Sequence, residues 1–506
     1  MRMVASLTFT GIVVALAAGC TAHRPPVAAV TAASFPVAVN AERCAAVSPA
    51  MFGATAAAGK WVAATGGLPA YCEVTGTLAP AAGSAIGVFY RLPESWNGKL
   101  LGLGGGGWAG NVTLNAASEG LKKGYATLQT DAGHAATTVW DAAWSSNPEA
   151  VKDFSYRAVH EMTVAGKRLA QAYYARGPIK AYFQGCSTGG RMALMEAQRY
   201  PADYDAITAG APVYTLQVQT SAIFRNQAFA SSGGSFSPAD LKLAQTSALN
   251  ACDAQDGLKD GLINDPRQCR WDPATIQCTG AKNDTCLAPG QVAALRSVYA
   301  GQRGPDGQWA MLPINRGGET GWTQFIGTAG TGNDASYGAL NVLFPMALGH
   351  PVDLARFGPA DVPPLRATAF GRMYDAADPN LAPFFRRGGK LILWHGESDP
   401  GPSPVSTLDY ASAVARAAPA ASQQMRLFLL PGVGHCGGGP GAAPIPVLDA
   451  LDSWVNGGPA PASLVGAKPD NSVIRPQCAW PEVAHYRGNG SPNDPASWSC
   501  VKRPTA

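Results

Sequence analysis

A glycine-rich stretch near the middle of the chain, residues 185–190 with the sequence Gly-Cys-Ser-Thr-Gly-Gly, constrains the fold more than any other feature. An apolar run precedes it and a helical pattern follows it, so the chain is expected to pass from strand to turn to helix. Glycines on both sides of a serine permit a strained turn that lifts the hydroxyl out of the sheet, as in a nucleophile elbow. Ser187 is therefore the predicted nucleophile. The alternative is an ordinary glycine-rich turn between a strand and a helix.

Two later segments supply partners for this serine. The first is an apolar run typical of a buried parallel strand, and it ends in a polar turn that contains Asp399. The second is another apolar run, followed by a glycine loop that contains His435. The order serine, aspartate, histidine is that of α/β-hydrolase triads. We therefore predict that His435 removes the proton of Ser187 and that Asp399 holds the imidazole and stabilises its charged form.

Three neighbouring residues are alternatives for these roles. His395 is a second candidate base, although its place at the end of the strand favours a packing or turn-supporting role. Glu397 is a second candidate acid, but it lies closer to the strand than the loop position from which a triad acid usually reaches its histidine. Cys186 could itself be a thiolate nucleophile, but an elbow presents its central residue, which is Ser187.

Cysteines lie directly beside the predicted nucleophile and the predicted base. Cys186 precedes Ser187, and Cys436 follows His435. A disulfide requires Cα atoms within about 7 Å of each other. A bond between these two cysteines would therefore hold the serine and the histidine within reach of each other.

Three motifs, Gly-Cys-Ser-Thr-Gly-Gly-Arg, Gly-Glu-Ser-Asp and Gly-His-Cys, resemble those of the tannase and feruloyl esterase family, which includes the bacterial mono(2-hydroxyethyl) terephthalate hydrolase. The similarity extends from about Cys44 to Cys500. It implies an α/β-hydrolase fold with a large inserted lid domain, and activity on esters of aromatic, phenolic acids. It also implies that Cys186 and Cys436 are joined.

The net charge of +4, with 14% charged residues, argues against a polyanionic partner such as nucleic acid.

The N-terminus has a short basic start and an apolar run too short for a membrane span, which predicts a signal peptide over residues 1–20. Its end resembles a bacterial lipoprotein cleavage box, so a lipid anchor at Cys20 and a periplasmic or outer-membrane location are expected. Secretion without an anchor is the alternative.

Ten cysteines remain after Cys20 of the eleven, and an even number in an exported chain predicts five disulfides. The residues alone leave the connectivity open. Besides the bond next to the triad, the family resemblance implies that neighbours pair: Cys44 with Cys72, Cys252 with Cys269, Cys278 with Cys286, and Cys478 with Cys500.

The catalytic core is expected in two parts, residues 35–211 and 386–506. The segment between them, residues 212–385, is rich in glycine, alanine and proline and is predicted to be the lid domain. Insertions at this position in α/β-hydrolases commonly form lids, and their loops carry specificity.

A run of four glycines before Trp108 follows a predicted strand, at the position where α/β-hydrolases have their oxyanion-hole loop. The N–H group of Gly106 or Gly107 is predicted to join that of Thr188 in holding the developing oxyanion. A merely flexible turn is the alternative.

Three further polar residues have structural interpretations. Asp131 and His134 lie in a turn that recurs in this family and are expected to be structural or pocket-edge groups. His160 lies in a predicted covering helix and is interpreted as a surface or packing residue.

The inserted segment contains a run rich in aspartate and glycine, residues 253–265. Carboxylates at short, glycine-broken spacing can surround Ca²⁺ with side-chain and backbone oxygens, although this spacing is not that of an EF-hand. The run resembles the family's calcium loop. A solvated acidic turn is the alternative, and the flanking cysteines favour the ordered loop. The resemblance implies ligands from the side chains of Asp253, Asp256 and Asp260 and from the carbonyls of Leu258 and Leu262.

Together these patterns predict an exported serine esterase whose partner is a small aromatic ester, with calcium as a structural ion. Hydrolysis of terephthalate monoesters, or of another kind of bond, is an alternative. An alternative of a different class is a catalytically silent surface protein that binds polyphenols or carbohydrates, and a covalent serine probe would distinguish it. Neither the preferred acid nor the oligomeric state follows from the sequence.

Overall fold

The computed structural model describes residues 38–503, apart from residues 232, 328–334 and 420. The predicted signal peptide and Cys20 lie outside the described residues. Within these ranges, no helix is both long and apolar enough to cross a bilayer.

A nine-stranded sheet organises the fold, in the order β1-β2-β3-β5-β4-β6-β7-β10-β11. Strands β1, β2 and β3 pair antiparallel at one side, whereas β4, β5, β6, β7, β10 and β11 run parallel. The strands of this sheet and of three small two-stranded sheets are β1 (Ala56–Val62), β2 (Tyr71–Leu78), β3 (Ile86–Pro93), β4 (Lys99–Leu103), β5 (Ala126–Thr130), β6 (Lys180–Cys186), β7 (Ala206–Gly210), β8 (Gln302–Arg303), β9 (Trp309–Met311), β10 (Lys390–Gly396), β11 (Met425–Leu430), β12 (Ser463–Ala467), β13 (Ile474–Cys478), β14 (Glu482–Tyr486) and β15 (Trp498–Lys502).

Helices connect the parallel strands and build most of the inserted segment. The α-helices are α1 (Ala41–Ala45), α2 (Leu114–Lys122), α3 (Pro148–Lys152), α4 (Ala158–Tyr174), α5 (Thr188–Arg199), α6 (Gln217–Ala230), α7 (Pro238–Cys252), α8 (Pro289–Ala300), α9 (Ala335–Leu348), α10 (Val362–Arg366), α11 (Ala369–Tyr374), α12 (Ala382–Arg386), α13 (Pro404–Ala417), α14 (Ala421–Gln424) and α15 (Val447–Val455). A π-helical turn, Asp153–Arg157, leads into α4, and short 3-10 helices occupy Pro49–Met51, Ala143–Ser146, Asp253–Asp256, Pro266–Gln268, Pro273–Ile276, Glu319–Gln324, Pro359–Asp361 and Pro495–Ser497.

The parallel strands bring the three predicted triad residues to one edge of the sheet. Ser187 follows β6, Asp399 lies just beyond β10, and His435 lies beyond β11. Strands β6, β7, β10 and β11 are neighbours in that order, and the carboxyl ends of parallel strands share an edge. The loops that carry the three residues therefore converge.

The chain between β7 and β10 contains α6 to α12 and has a hydrophobic cluster of its own. Phe229 and Trp322 are fully buried in that cluster, and their ring centroids lie 5.9 Å apart. The predicted lid, residues 212–385, falls within this segment. Its boundaries and its movement as a lid remain predictions.

Five disulfides join the ten cysteines, in the pairs that the family resemblance implies. Four of them close loops of 8 to 28 residues, whereas the bond between Cys186 and Cys436 spans 250 residues. The short-range bonds fix local segments. The long-range bond joins the end of β6 to the loop after β11.

Candidate active site

Ser187 lies in a strained turn between β6 and α5. Its backbone has φ 62° and ψ −125°, a conformation that non-glycine residues rarely adopt. A Cβ atom on Gly185 would lie 2.3 Å from the carbonyl oxygen of Gly189, so only glycine fits at this crossing. The structure therefore has the strand, sharp turn and helix of a nucleophile elbow, with Ser187 at its apex.

His435 and Asp399 are in direct contact. The Nδ1 atom of His435 lies 2.7 Å from Oδ2 of Asp399, and the aspartate is only 2% exposed. An ionised carboxylate only accepts hydrogen bonds, so Nδ1 carries the proton and Nε2 is the basic nitrogen. Ser187 and His435 line the same pocket.

The carboxyl group of Asp399 is held in its ionised form. Burial acts to raise its pKa, but the charge of His435 and hydrogen bonds from His395 and His435 outweigh burial and lower the pKa to about 2. A second acceptor atom, Oδ1, receives the N–H of Gly401 at 2.8 Å. Asp399 is therefore a fixed negative charge against the imidazole of His435.

The structure gives His395 and Glu397 other partners. His395 is fully buried, with Nε2 3.2 Å from Oδ2 of Asp399 and 3.1 Å from the carbonyl of Pro402. Glu397 is ion-paired with Arg267, with Nη2 2.6 Å from Oε1. His395 therefore packs behind Asp399, the predicted triad acid, and Glu397 is engaged with Arg267 instead.

The disulfide between Cys186 and Cys436 lies directly beside the serine and the histidine. Its Cα atoms are 5.9 Å apart. Because each cysteine is a chain neighbour of a triad residue, the bond fixes the separation of the β6 and β11 loops. A bonded Cys186 is not a free thiolate, which argues against Cys186 as the nucleophile, and Ser187 stays the predicted one.

The predicted oxyanion loop reaches the pocket through Gly107, which lines it together with Thr188. Gly107 has φ +57°, and a Cβ atom there would lie 2.2 Å from the carbonyl of Val139. Within the part of the chain that the structure describes, neither the N–H of Gly107 nor that of Thr188 has an acceptor. Gly106 is not among the residues that line the pocket. Gly107 and Thr188 thus offer two N–H groups beside Ser187.

His134 supports this loop from behind. Its Nε2 lies 2.8 Å from the carbonyl oxygen of Trp108, and its ring stacks on Trp144 at 4.8 Å. Burial lowers the pKa of His134, so the neutral ring donates to the carbonyl. This is the structural role that the sequence predicts for His134.

The pocket is mainly apolar and aromatic. Trp108 and Trp140 come from the core, and Phe325 comes from the inserted segment and meets His435 edge-on with centroids 4.9 Å apart. The remaining lining residues are Gly107, Ser187, Thr188, Val213, Val218, Gln219, Ala222, Arg225, Leu340, Pro400, Gly401 and Pro402.

Arg225 on α6 anchors the loop that follows Asp399, the predicted triad acid. Its Nη1 donates to the carbonyls of Pro400 at 2.9 Å and Gly401 at 2.6 Å, and its Nη2 donates to Leu312 at 3.0 Å. Sequence reasoning missed Arg225, Gln219, Trp140 and Phe325. Three of them lie in the inserted segment, whose pattern does not show which side chains face a pocket.

The predicted calcium loop is an oxygen-rich turn. The carboxylate of Asp253 accepts the N–H groups of residues 260–262. Burial raises the pKa of Asp256 to about 7, and the charges of Asp260 and Asp253 add to this effect. Arg475 offsets one of these charges, with Nη2 2.6 Å from Oδ2 of Asp260. Carboxylate and carbonyl oxygens are the donor type that Ca²⁺ prefers, so this loop stays the predicted calcium site.

The chain is also similar to known proteins. The family model described as tannase and feruloyl esterase matches residues 72–324 and 360–501. The mono(2-hydroxyethyl) terephthalate hydrolase of Piscinibacter sakaiensis is 33% identical, over 87% of this chain and 86% of that protein. Feruloyl esterase B of Aspergillus niger is 31% identical, over 85% of this chain and 86% of its own.

Among solved structures, feruloyl esterase B from Aspergillus oryzae superposes with a TM-score of 0.81 at 26% identity, over 91% of this chain and 100% of that chain. This likeness confirms the predicted α/β-hydrolase fold.

Proposed function

This chain belongs to the tannase and feruloyl esterase family and is a carboxylic ester hydrolase, and we propose that it cleaves esters of phenolic acids through an acyl-enzyme formed on Ser187. The observation that carries this proposal is the contact of His435 with the buried Asp399, since His435 lines the same pocket as the strained Ser187. These three residues have the roles of nucleophile, base and orienting acid.

In the first half of the reaction, Oγ of Ser187 attacks the ester carbonyl carbon while Nε2 of His435 takes the hydroxyl proton. Asp399 stabilises the imidazolium that forms. The N–H groups of Gly107 and Thr188 hold the oxyanion of the tetrahedral intermediate. When the intermediate collapses, His435 returns the proton to the departing alcohol.

In the second half, His435 removes a proton from water, and the resulting hydroxide attacks the acyl carbon. The bond to Ser187 breaks, its oxygen regains the proton from His435, and the free acid leaves.

The pocket favours an aromatic ring with a hydroxyl group. Tyr374 donates its hydroxyl hydrogen to the carbonyl of Val213 at 3.3 Å, so the Gln219 amide must be the donor in its 3.4 Å contact with Tyr374. This orientation leaves Oε1 of Gln219 as an acceptor, and that atom is buried without a donor among the described residues. Gln219 lines the pocket, and we infer that a phenolic O–H bound there satisfies this oxygen, whereas a ring carboxylate would not.

A terephthalate monoester is the second candidate, because the relative from Piscinibacter sakaiensis bears that substrate in its name. Its free carboxylate would need a cationic partner. Among the described lining residues apart from His435, Arg225 is the cationic one, and its guanidinium already donates to three carbonyls. This pocket therefore favours phenolic esters.

Five disulfides fit an exported protein, because such bonds persist in oxidising compartments. We propose that the chain is exported under the signal in residues 1–20, to the periplasm or outer membrane with a lipid on Cys20, or secreted without one.

We also propose that Ca²⁺ binds the loop formed by residues 253–262 and orders the inserted segment. No step of the ester chemistry needs this ion.

The test is a panel of methyl ferulate, methyl cinnamate, methyl gallate, chlorogenate and mono(2-hydroxyethyl) terephthalate, assayed with the wild type, Ser187→Ala and Gln219→Leu. Loss of the nucleophile should lower the rate by about 10⁴-fold or more, because triad members act together. Ser187→Ala should also fail to react with a fluorophosphonate probe that labels the wild type.

Gln219→Leu should lower kcat/KM for methyl ferulate by about tenfold, the worth of one hydrogen bond, and leave methyl cinnamate nearly unchanged. A folded Ser187→Ala variant that keeps most of its activity would disprove the serine mechanism. Faster turnover of the terephthalate ester than of all phenolic esters would disprove the substrate class.

A further inference from the structure

A second cluster of ligand-type side chains lies away from the active-site pocket. His160 is on α4, Glu196 is near the end of α5, and Asp203 lies in the turn that leads to β7. One ligand atom from each residue lies within 4.8 Å of those of the other two. The closest pair is Nδ1 of His160 and Oδ2 of Asp203, at 2.6 Å.

Glu196 is the member of this cluster that needs a ligand. It is 1% exposed, and among the described residues neither of its carboxylate oxygens has a hydrogen-bond donor. A buried carboxylate without a partner is costly, and Asp203 places a second carboxylate beside it. The ester mechanism uses neither group.

Lys167 offsets part of the negative charge of the two carboxylates but does not lie between the three ligand side chains. Its Nζ donates to the carbonyls of Ala202 and Asp203 and lies 3.9 Å from Oδ1 of Asp203. The other oxygen of Asp203, Oδ2, faces His160. With both carboxylates ionised, the ammonium of Lys167 leaves the cluster one net negative charge. The imidazole nitrogen of His160 lies beside that charge.

We propose that His160, Glu196 and Asp203 bind a divalent transition-metal ion, of which Zn²⁺ is the best match. One imidazole nitrogen and two carboxylates form a mixed nitrogen and oxygen donor set, which suits Zn²⁺ better than the all-oxygen sets that suit Ca²⁺ or Mg²⁺. A water molecule from the partly exposed His160 side would complete a tetrahedral site.

The surroundings favour a cation at this place. Glu196 lies in the last turns of α5, where the backbone carbonyls carry partial negative charge. The ring of Tyr200 stacks on His160 with centroids 3.9 Å apart and an interplanar angle of 9°, which fixes the imidazole. The ion would join α4 to α5, the helix that begins directly after Ser187, so its role is structural.

A proton is the competing occupant. Burial, together with the charge of Asp203, raises the pKa of Glu196 well above its ordinary value when no cation is bound. A protonated Glu196 could donate to Asp203 and leave no room for a metal. If a proton occupies the cluster, the protein should not bind zinc or cobalt there, so metal binding distinguishes the two occupants.

The experiment uses untagged, chelator-treated protein, titrated with Co²⁺ and then with Zn²⁺. We expect one equivalent of Co²⁺ to give the d–d absorption of a four- or five-coordinate ion, and Zn²⁺ to displace it and raise the melting temperature. His160→Gln and Glu196→Gln should each weaken binding at least tenfold, because losing even a residue that only orients a metal ligand costs 10- to 100-fold.

Asp256→Ala, in the predicted calcium loop, is the control and should keep the Co²⁺ spectrum. His160→Gln changes a partly exposed residue, so its result stands even if Glu196→Gln folds poorly. Absence of a four- or five-coordinate spectrum in the wild type, or equal affinity in the wild type and both variants, would show that a proton is the occupant and would overturn the proposal.

Discussion

Asp131 illustrates how a single residue away from the chemistry holds the sheet edge near the site. Its Oδ1 accepts the N–H groups of Gly87 at 2.9 Å and Gly133 at 2.8 Å. Burial raises its pKa from 3.8 to about 6, against the effect of these two hydrogen bonds. The folded protein therefore prefers the neutral acid at a pH where the unfolded chain is ionised.

This preference gives a pH-dependent stability. Between about pH 4 and pH 6 the folded state binds more protons at Asp131 than the unfolded state, so the free energy of unfolding falls as pH rises through this window. Asp131→Asn keeps the acceptor oxygen but cannot ionise, so it should remove this decline in the free energy of unfolding. A pKa difference of about two units sets the upper limit of the decline at about 3 kcal/mol.

Urea unfolding at pH 4, 5, 6 and 7 measures the effect. Asp375→Asn is a positive control. Burial also raises the pKa of Asp375 to about 6, so this variant should remove a similar part of the pH dependence of stability. An unchanged pH slope in Asp131→Asn would contradict the assignment.

At the scale of secondary-structure elements, the parts of the site that could be predicted are those with a local signal. Ser187, Asp399 and His435 each follow an apolar strand and lie in a glycine-rich or polar turn, so the sequence places them at strand ends. Helix α6 (Gln217–Ala230) gives no such signal. It is buried on several sides, so no apolar stripe marks the face on which Gln219 and Arg225 lie.

The predicted calcium loop connects two elements, because Arg475 on β13 pairs with Asp260. An ion that binds only the folded state stabilises it by mass action. Removal of Ca²⁺ with a calcium-selective chelator should therefore lower the melting temperature, and added Ca²⁺ should restore it. Asp256→Ala should lower it permanently, while activity at low temperature survives far better than in Ser187→Ala.

Asp284→Ala changes an exposed aspartate of the same segment and is the matched control. Glu196→Gln should respond to the chelator as the wild type does, which separates this loop from the proposed zinc site. A melting temperature indifferent to the chelator, with no calcium found by elemental analysis, would refute the loop as a calcium site.

At the scale of the whole molecule, a buried ion-pair network connects three distant parts of the chain. Arg267 of the inserted segment lies 2.6 Å from Glu397 beyond β10 and 2.9 Å from Asp265. Arg503 at the C-terminal end also pairs with Asp265. Both guanidinium groups lie over the ring of Trp480, at 5.4 Å and 4.2 Å.

Glu397→Gln should destabilise the protein, but by less than the about 3–5 kcal/mol that a fully unpaired buried charge costs, because Asp265 still pairs with Arg267. Chemical denaturation measures this loss. Asp272→Asn is the control, because its pair with Arg296 is about half exposed and should matter much less. Equal stability of the two variants would show that the network contributes little.

The long-range disulfide also determines what a protease can do to this enzyme. Any single cut between Cys186 and Cys436 opens a loop of 250 residues but releases no fragment, because the two pieces stay joined beside Ser187 and His435. On a denaturing gel, the nicked protein should run as one band without reductant and as two bands with it. A clipped enzyme that keeps its fold would therefore keep its nucleophile and its base in one covalent molecule until a reductant separates them.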